Sequence, residues 1–141
     1  MSRVRLVWLN GVLLGLVAVA IVAVEAWDRP EAAVEAAVQR YATAVSGGDL
    51  DAAMAEIAPD QRDRWTAWVQ GQLGNEYAVT GVAVRAPWLL ARPVEVTVDM
   101  DINRDYPHDF YQATPRVAVE VDRTDGRWYL AAPLLAPTAE L

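Results

Sequence analysis

The chain of 141 residues lacks cysteine and lysine altogether and has a single histidine, His108. Without cysteine the protein forms no disulfide and no thiolate metal site, and no lipid is attached to it through a thiol. One histidine among carboxylates is weak support for a transition-metal site. The fold must therefore be held by apolar burial, and we expect no cofactor and no bound metal.

Positive charge is also scarce after the first residues. Residues 28–141 contain ten Arg against 18 Asp and Glu, which gives this part a net charge of −8. Nucleic acid and anionic lipid repel a domain of this charge, so the composition excludes nucleic acid as a partner. These 114 residues suffice for one compact domain and are too few for two.

The chain has an excess of apolar sequence near its start. Residues 6–26 are almost uninterrupted in apolar character, and Trp8 and Trp27 lie at the two ends of the run. A helix rises about 1.5 Å per residue, so the two indole rings would lie roughly 28 Å apart, close to the thickness of the hydrocarbon layer. Indole rings favour the membrane interfaces. The pattern predicts a transmembrane anchor over residues 6–27, behind a short segment at residues 1–5.

The charges on either side of the run predict its orientation. Arg3 and Arg5 precede it, and acidic residues follow it. Basic residues stay on the cytoplasmic side, so we expect a single-pass protein of the cell membrane with a cytoplasmic N-terminus and an extracytoplasmic domain. A cleaved signal peptide ending at residues 24–26 is the alternative. The apolar region of a signal peptide has about 7 to 15 residues, and the longer run here favours an uncleaved anchor.

Small residues share one face of the predicted anchor. Gly11 and Gly15 form a G-x-x-x-G pattern that Ala18 continues, and Asn10 lies beside it. Small side chains at this spacing let two helix backbones approach closely, and Asn can donate across the contact. The pattern predicts pairing with a helix of a membrane protein or of a second copy. The alternative is an ordinary membrane helix, in which glycine is common and Asn10 is hydrated near the headgroups.

The periodicity after residue 28 predicts three helices. A capping Asp28 and Pro30 begin the first, and Gly47-Gly48 ends it. Asp49 caps the second, and Pro59 begins a third. Their predicted inward faces, at spacings of three and four, are Val34, Val38, Tyr41 and Val45, then Leu50, Ala53, Met54 and Ile57, then Trp65, Trp68, Val69 and Gln72.

From Glu76 onward the apolar period changes to two, which is typical of half-buried strands. The alternation slips by one residue near Gly81, which indicates a β-bulge and a curved sheet. A turn at residues 124–126 makes the last two strands a hairpin. The order predicts an α+β fold in which three helices pack on the concave face of a curved antiparallel sheet of about four strands.

Four segments carry a resemblance to a known family. They are Val38-Gln39-Arg40-Tyr41, Gly48-Asp49-Leu50-Asp51-Ala52-Ala53, the strand from Glu76 to Ala86, and Asp125-Gly126-Arg127-Trp128-Tyr129-Leu130. With them the chain resembles the nuclear transport factor 2-like (NTF2-like) superfamily, a cone-shaped fold shared with ketosteroid isomerase. The resemblance covers roughly residues 30–135 and implies a domain over residues 28–135, followed by a tail at 136–141. Members include enzymes, binding modules and scaffolds, so it implies a fold and no single function.

The predicted interior has little chemistry to offer. Tyr41 is the only polar residue among the inward positions of the first helix and the strands, so general acid–base catalysis has no group to use. We therefore expect a protein without catalytic residues. An apolar cavity for a small molecule or a lipid is predicted from inward aromatic and apolar residues, the alternative being a filled core. The cavity residues are Tyr41, Met54, Trp65, Trp68, Val98 and Met100.

Two polar sets outside the interior are further candidates. In the loop predicted around Asp105, His108 and Asp109, the imidazole is either a base held by a carboxylate or a lone metal ligand, and the alternative is a solvated loop. The spacing of the nearby carboxylates matches no known calcium loop. An acidic ladder on the outer face of the sheet would dock a basic partner or simply be hydrated. Its members are Glu95, Asp99, Asp101, Glu120 and Asp122.

These observations leave two classes of function. The first is an interaction module, a non-catalytic subunit or assembly factor of a membrane complex in a bacterial envelope. In this the chain looks like the inner-membrane scaffold of type IV secretion systems and like mammalian-cell-entry-associated membrane proteins. The second is a binding protein for a small apolar ligand or a lipid. An isomerase or dehydratase is a third class, and the apolar interior argues against it.

Overall fold

The computed structural model of the chain describes residues 12–18, 31–85, 94–104, 108–121 and 125–137. It divides into two units, Met1–Pro30 and Glu31–Leu141. In the first unit residues 12–18 are helical. Among the described residues, no helix is both long enough and apolar enough to cross a bilayer.

Several predicted features lie outside these ranges. They are the segment at residues 1–5, the larger part of the anchor at 6–27 with Asn10 and Gly11, the helix cap at 28–30, and the end of the tail at 138–141.

Helix α1, Glu31–Ser46, has the predicted inward stripe. The four residues of this stripe are completely buried, because spacings of three and four keep them on one side of the helix: Val34, Val38, Tyr41 and Val45. The helix ends where Gly48 adopts a φ of 72°, a conformation that costs a side chain about 1–2 kcal/mol and that glycine adopts freely. The Asp49 N–H then donates to the Ala44 carbonyl at 2.9 Å, which closes the helix.

Two further helices follow as predicted. Helix α2, Leu50–Ala55, is capped by the Asp49 carboxylate, which accepts from the Ala52 N–H at 3.0 Å. A 3₁₀ turn at Pro59–Gln61 leads into α3, Arg62–Gln72. Proline suits such a start because its missing N–H needs no partner there.

The second half of the domain is one antiparallel sheet of five strands. The strands are β1 Glu76–Arg85, β2 Val94–Arg104, β3 Asp109–Ala113, β4 Arg116–Val121 and β5 Trp128–Leu130. The order is β1-β2-β4-β5, and β3 pairs with the part of β2 that β4 leaves free. The α+β class, the antiparallel sheet and the pairing of the last two strands are confirmed.

The fifth strand was not predicted. Strands β3 and β4 keep the same register along β2 and are interrupted only at Thr114 and Pro115. Pro115 has no N–H to donate, but its carbonyl accepts from the Val98 N–H at 3.0 Å. The chain between β3 and β4 therefore remains hydrogen-bonded to β2. Asp109, which was predicted to lie in a loop with His108, is the first residue of β3 and pairs with Arg104 of β2.

The predicted β-bulge is confirmed on β1. The register with β2 shifts by one residue between Val79, opposite Met100, and Gly81, opposite Asp99. A Cβ atom at Gly81 would come within 3.2 Å of an Asp99 carboxylate oxygen, so a side chain there would require the Asp99 side chain to shift. Bulges increase the local twist, and the sheet curls into a half-barrel.

The core lies between the helices and the curled sheet. Helix α1 contacts both β1 and β5, the first and last strands of the order, so the sheet curves around this helix. The alternating apolar residues of β2 and the first two of β4 are buried: Val94, Val96, Val98, Met100, Ile102, Val117 and Val119. Leu134, after the last strand, is also completely buried and joins the core.

Candidate functional site

Glu56 is a charged residue inside the core region of the domain. It follows helix α2, and its backbone carbonyl accepts from the Leu130 N–H on β5 at 2.8 Å. The Ala58 N–H in turn donates to the Leu130 carbonyl at 2.8 Å. These two bonds attach the turn after α2 to the last strand of the sheet. The Glu56 side chain is thereby held at a fixed place beneath the surface, only 4% exposed.

Two arginines from distant parts of the chain neutralise this carboxylate. Arg40 on α1 donates from Nε to Oε1 at 2.8 Å and from Nη2 to Oε2 at 3.1 Å. Arg127 donates from Nη2 to Oε1 at 2.8 Å. The hydrogen bond to Glu56 raises the pKa of Arg40, because it favours the charged guanidinium. Helix α1, the turn after α2 and the segment before β5 are thus joined at one carboxylate.

A second layer holds Arg127 in place. Its guanidinium lies 5.4 Å from the centroid of the Tyr129 ring, and its backbone N–H donates to Asp125 Oδ1 at 2.8 Å. The Tyr129 hydroxyl donates to Asp125 Oδ2 at 2.6 Å. That hydroxyl, followed by the Arg127 N–H, lowers the pKa of the Asp125 carboxyl. The Arg62 guanidinium also lies near this ring, 5.9 Å from its centroid.

The cluster of Glu56, Arg40 and Arg127 stabilises the fold and is not arranged for acid–base catalysis. A general base needs a free lone pair facing a reactant, whereas Glu56 accepts three hydrogen bonds from its own chain. Within the described ranges Glu56 is also the only buried charged residue. The sequence prediction did not include it. A usable signal was present, since Glu56 lies between apolar residues while Arg40 and Arg127 occur in two of the four segments that carry the family resemblance.

The structure brings the six predicted cavity residues together. Tyr41, Met54, Val98 and Met100 belong to one buried cluster, and the half-buried Trp65 and Trp68 pack against it. Their inward orientation follows from the helix and strand periods, as the sequence predicts.

Three polar atoms in this interior have no hydrogen-bond partner among the described residues. They are the Tyr41 hydroxyl and the indole N–H groups of Trp65 and Trp68. The neighbouring Tyr77 differs, because its hydroxyl donates to Gln72 Oε1 at 3.0 Å. Burial, and then the nearby Tyr77, raise the pKa of Tyr41. Burial also raises the pKa of Tyr77, to about 12. The Tyr41 hydroxyl therefore stays protonated at neutral pH.

The other predicted polar sets lie on the surface. His108 and Asp109 are exposed, and Asp105 is outside the described residues. No group of three or more His, Asp or Glu in the described part of the chain is arranged to hold a metal ion.

The acidic ladder follows the outer face of β2. Glu95 and Asp99 are exposed and Asp101 is half-buried. Asp99 accepts from the Thr114 hydroxyl at 3.1 Å, and Glu95 lies 3.8 Å from Arg116. The ladder is thus partly satisfied by its own sheet. The Glu120 side chain and Asp122 are outside the described part.

Two of the four residues predicted to pack membrane helices lie in the helical residues 12–18, namely Gly15 and Ala18. A Cβ atom at Gly15 would meet no described atom within 4 Å.

The chain matches no protein-family model, no curated protein and no solved structure.

Proposed function

We propose that the protein is a membrane-tethered, extracytoplasmic interaction module, acting as a non-catalytic subunit or assembly factor of an envelope membrane complex. The proposed membrane tether is supported by a row of exposed apolar side chains. Val12, Leu13, Leu14, Leu16 and Val17 are 49–70% exposed in the helical residues 12–18. A contiguous apolar surface of this kind is unfavourable in water and is covered by lipid or by another helix.

The non-catalytic part of the proposal is supported by Glu56. It is the buried charged group of the described domain, and Arg40 and Arg127 already neutralise it. Among the described residues, the remaining interior offers phenol and indole donors and no imidazole or free carboxylate. A domain built in this way suits binding better than proton transfer.

The NTF2-like fold remains part of this proposal. Helices precede the strands, the bulge at Gly81 curves the sheet, and the sheet curves around α1. Each of these features is expected of a cone in which the helices fill the concave face.

The absence of cysteine makes the topology directly testable. Gly71→Cys places a thiol on the exposed side of α3, where an added Cβ meets no described atom within 4 Å, and Ser2→Cys places one before the anchor. We expect a membrane-impermeant maleimide to label Gly71→Cys in intact cells and Ser2→Cys only after lysis. The chain should also stay with membranes in alkaline carbonate. Labelling of Ser2→Cys alone in intact cells, or release by carbonate, would contradict the proposal.

A further inference from the structure

Three arginines of this acidic domain converge at one place on its surface. Residues 28–141 contain ten Arg, and Arg40, Arg62 and Arg127 lie together next to Glu56 and Tyr129. Arg40 Nε and Arg127 Nη2 each donate to Glu56 Oε1 at 2.8 Å, so these two guanidinium groups are adjacent. Arg62 and Arg127 share the ring of Tyr129, because their guanidinium carbons lie 5.9 and 5.4 Å from its centroid. We call the three arginines the arginine patch.

Arg62 is the member of the patch whose charge is not balanced by a described carboxylate. Its Nε donates to the Ile57 carbonyl at 3.1 Å and its Nη2 to the Ala55 carbonyl at 3.4 Å, on either side of Glu56 in the chain. Within the described ranges it makes no ion pair. The two backbone bonds hold the half-buried side chain in place. A cation that is fixed without a counter-ion is preorganised for an external anion.

The arginine patch is positive although the domain is negative. Its three charges are opposed by the carboxylates of Glu56 and Asp125, and these five residues together have a net charge of +1. A guanidinium has five N–H donors, and among the described residues Arg127 gives one of them to Glu56. The side chains of Arg40 and Arg127 are 51% and 44% exposed. Donors therefore remain at the surface for a ligand.

We propose that the arginine patch docks a short acidic segment of a partner protein, whose Glu or Asp carboxylates accept from Arg40, Arg62 and Arg127. The inference rests on the proposed interaction function and names the chemistry of the partner. A guanidinium can donate two parallel N–H bonds to one carboxylate. In an extended segment the side chains on one side recur about every 7 Å, so successive carboxylates can reach separate guanidinium groups.

The charge of the domain favours a short segment over a larger anionic surface. Residues 28–141 have a net charge of −8, so an anionic bilayer or a nucleic acid that spreads over the domain is repelled. Exposed charges interact over about 8 Å at physiological ionic strength, because salt screens them beyond that distance. A segment of a few residues that lies on the patch therefore meets mainly its positive charges.

The test measures binding of a peptide of six Glu residues to the full chain in nanodiscs of phosphatidylcholine, a neutral lipid. The peptide carries tetramethylrhodamine, and its fluorescence anisotropy reports binding. A peptide of six Ser residues with the same dye, and empty nanodiscs, are the controls. We expect the Glu peptide to bind in a saturable way that weakens with salt, and the Ser peptide not to bind.

Arg62→Gln tests the patch itself. We expect this variant to bind the Glu peptide about two- to fivefold more weakly, as the loss of one exposed ion pair implies. Arg64→Gln is the matched control, because it removes the same charge two residues away on α3, where side chains point in different directions. Arg64 instead stacks on Trp65 at 5.0 Å, so its removal should leave binding nearly unchanged.

Glu56→Gln separates docking from a purely structural role of the arginines. Both partners of Glu56 keep their charges, and the acid that opposes them is lost. We therefore expect this variant to bind the Glu peptide about three- to fivefold more tightly. Glu76→Gln, an exposed position at the start of β1, changes the total charge equally and should have little effect. If Glu56→Gln does not fold, the comparison of Arg62→Gln with Arg64→Gln decides.

Three results would overturn the inference. They are equal binding of the Glu and Ser peptides, equal weakening by Arg62→Gln and Arg64→Gln, and displacement of the Glu peptide by phosphatidylglycerol vesicles, which would assign the patch to lipid. The maleimide labelling of the topology does not involve the patch. Failure of the peptide to bind would therefore refute this docking surface and leave the proposed membrane topology standing.

Discussion

Removing both arginines from Glu56 should destabilise the domain far more than removing either one. The Glu56 side chain is 4% exposed, whereas those of Arg40 and Arg127 are 51% and 44% exposed. In Arg40→Met or Arg127→Met the carboxylate keeps one cationic partner. Because solvent screens the half-exposed arginines, we expect each single variant to lose about 1–2 kcal/mol of unfolding free energy.

The double variant leaves a buried carboxylate without any cation. Removing the half-exposed partners of a buried charge costs about 3–5 kcal/mol of unfolding free energy, because the remaining charge is neither hydrated nor paired. Glu56→Gln is the opposite case, since both arginines can turn toward water, and we expect it to cost about 1–2 kcal/mol. The two arginine substitutions should therefore be non-additive, with the double loss exceeding the sum of the single losses by about 1 kcal/mol.

Equilibrium urea unfolding of the full chain, followed by tryptophan fluorescence, measures these differences. The matched control is Arg104→Met with Arg116→Met, which removes the same charge from exposed positions. Arg104 stacks on Tyr111 at 5.0 Å, and Arg116 lies 3.8 Å from Glu95, so we expect this pair to cost less than about 1 kcal/mol. If Arg40→Met with Arg127→Met costs no more than the control, the carboxylate is hydrated and the two arginines do not stabilise it.

Three further predictions concern single contacts. Asp49→Ala should lose about 1 kcal/mol by removing the cap of α2, while Asp51→Ala, exposed on the same helix, should change stability by less than about 0.5 kcal/mol, both in urea unfolding. Ser46→Ala should cost about 1–3 kcal/mol, because the Tyr77 N–H loses its 2.8 Å acceptor, whereas Thr43→Ala on the exposed side of α1 should be nearly neutral; equal losses would show that the Ser46 bond contributes nothing. The Tyr129 hydroxyl lowers the pKa of Asp125, so its stabilising effect is present above the unfolded pKa of about 3.9 and is lost as pH falls through the lower folded pKa. The stability difference between wild type and Tyr129→Phe should therefore shrink below about pH 4 in acid unfolding, and a difference that stays constant would contradict the assignment.

Features with a local cause could be predicted from the sequence. The buried stripe of α1 follows from a period of 3.6 residues, and the bulge follows from a change of parity at Gly81, so both are visible in short windows. Strand β3 was missed because Asp109–Ala113 is only five residues long and its exposed residues include Phe110, which is 68% exposed. Its pairing with β2 decides its conformation, and pairing is a tertiary property.

The candidate sites also contain a part that the sequence predicts locally and a part that depends on the fold. The inward orientation of Tyr41, Trp65 and Trp68 was predictable from periodicity, but the absence of partners for their polar atoms depends on what lies opposite them. The Glu56 cluster joins residues separated by 16 and by 71 positions in the chain, which no local pattern reveals. Long-range ion pairs of this kind become evident only when the fold is known.

Site-specific photo-cross-linking in native membranes tests the proposed function most directly. A photoreactive amino acid is placed at Ala78, Ala83 or Gln112, three exposed positions on the outer face of the sheet. We expect a discrete cross-linked product that contains an integral membrane protein or a second copy of this chain. Loss of that product when Asp99→Asn and Asp101→Asn neutralise the same face would assign the contact to the acidic ladder. Absence of any discrete product from all three positions, with the full chain intact in the membrane, would contradict the proposed function.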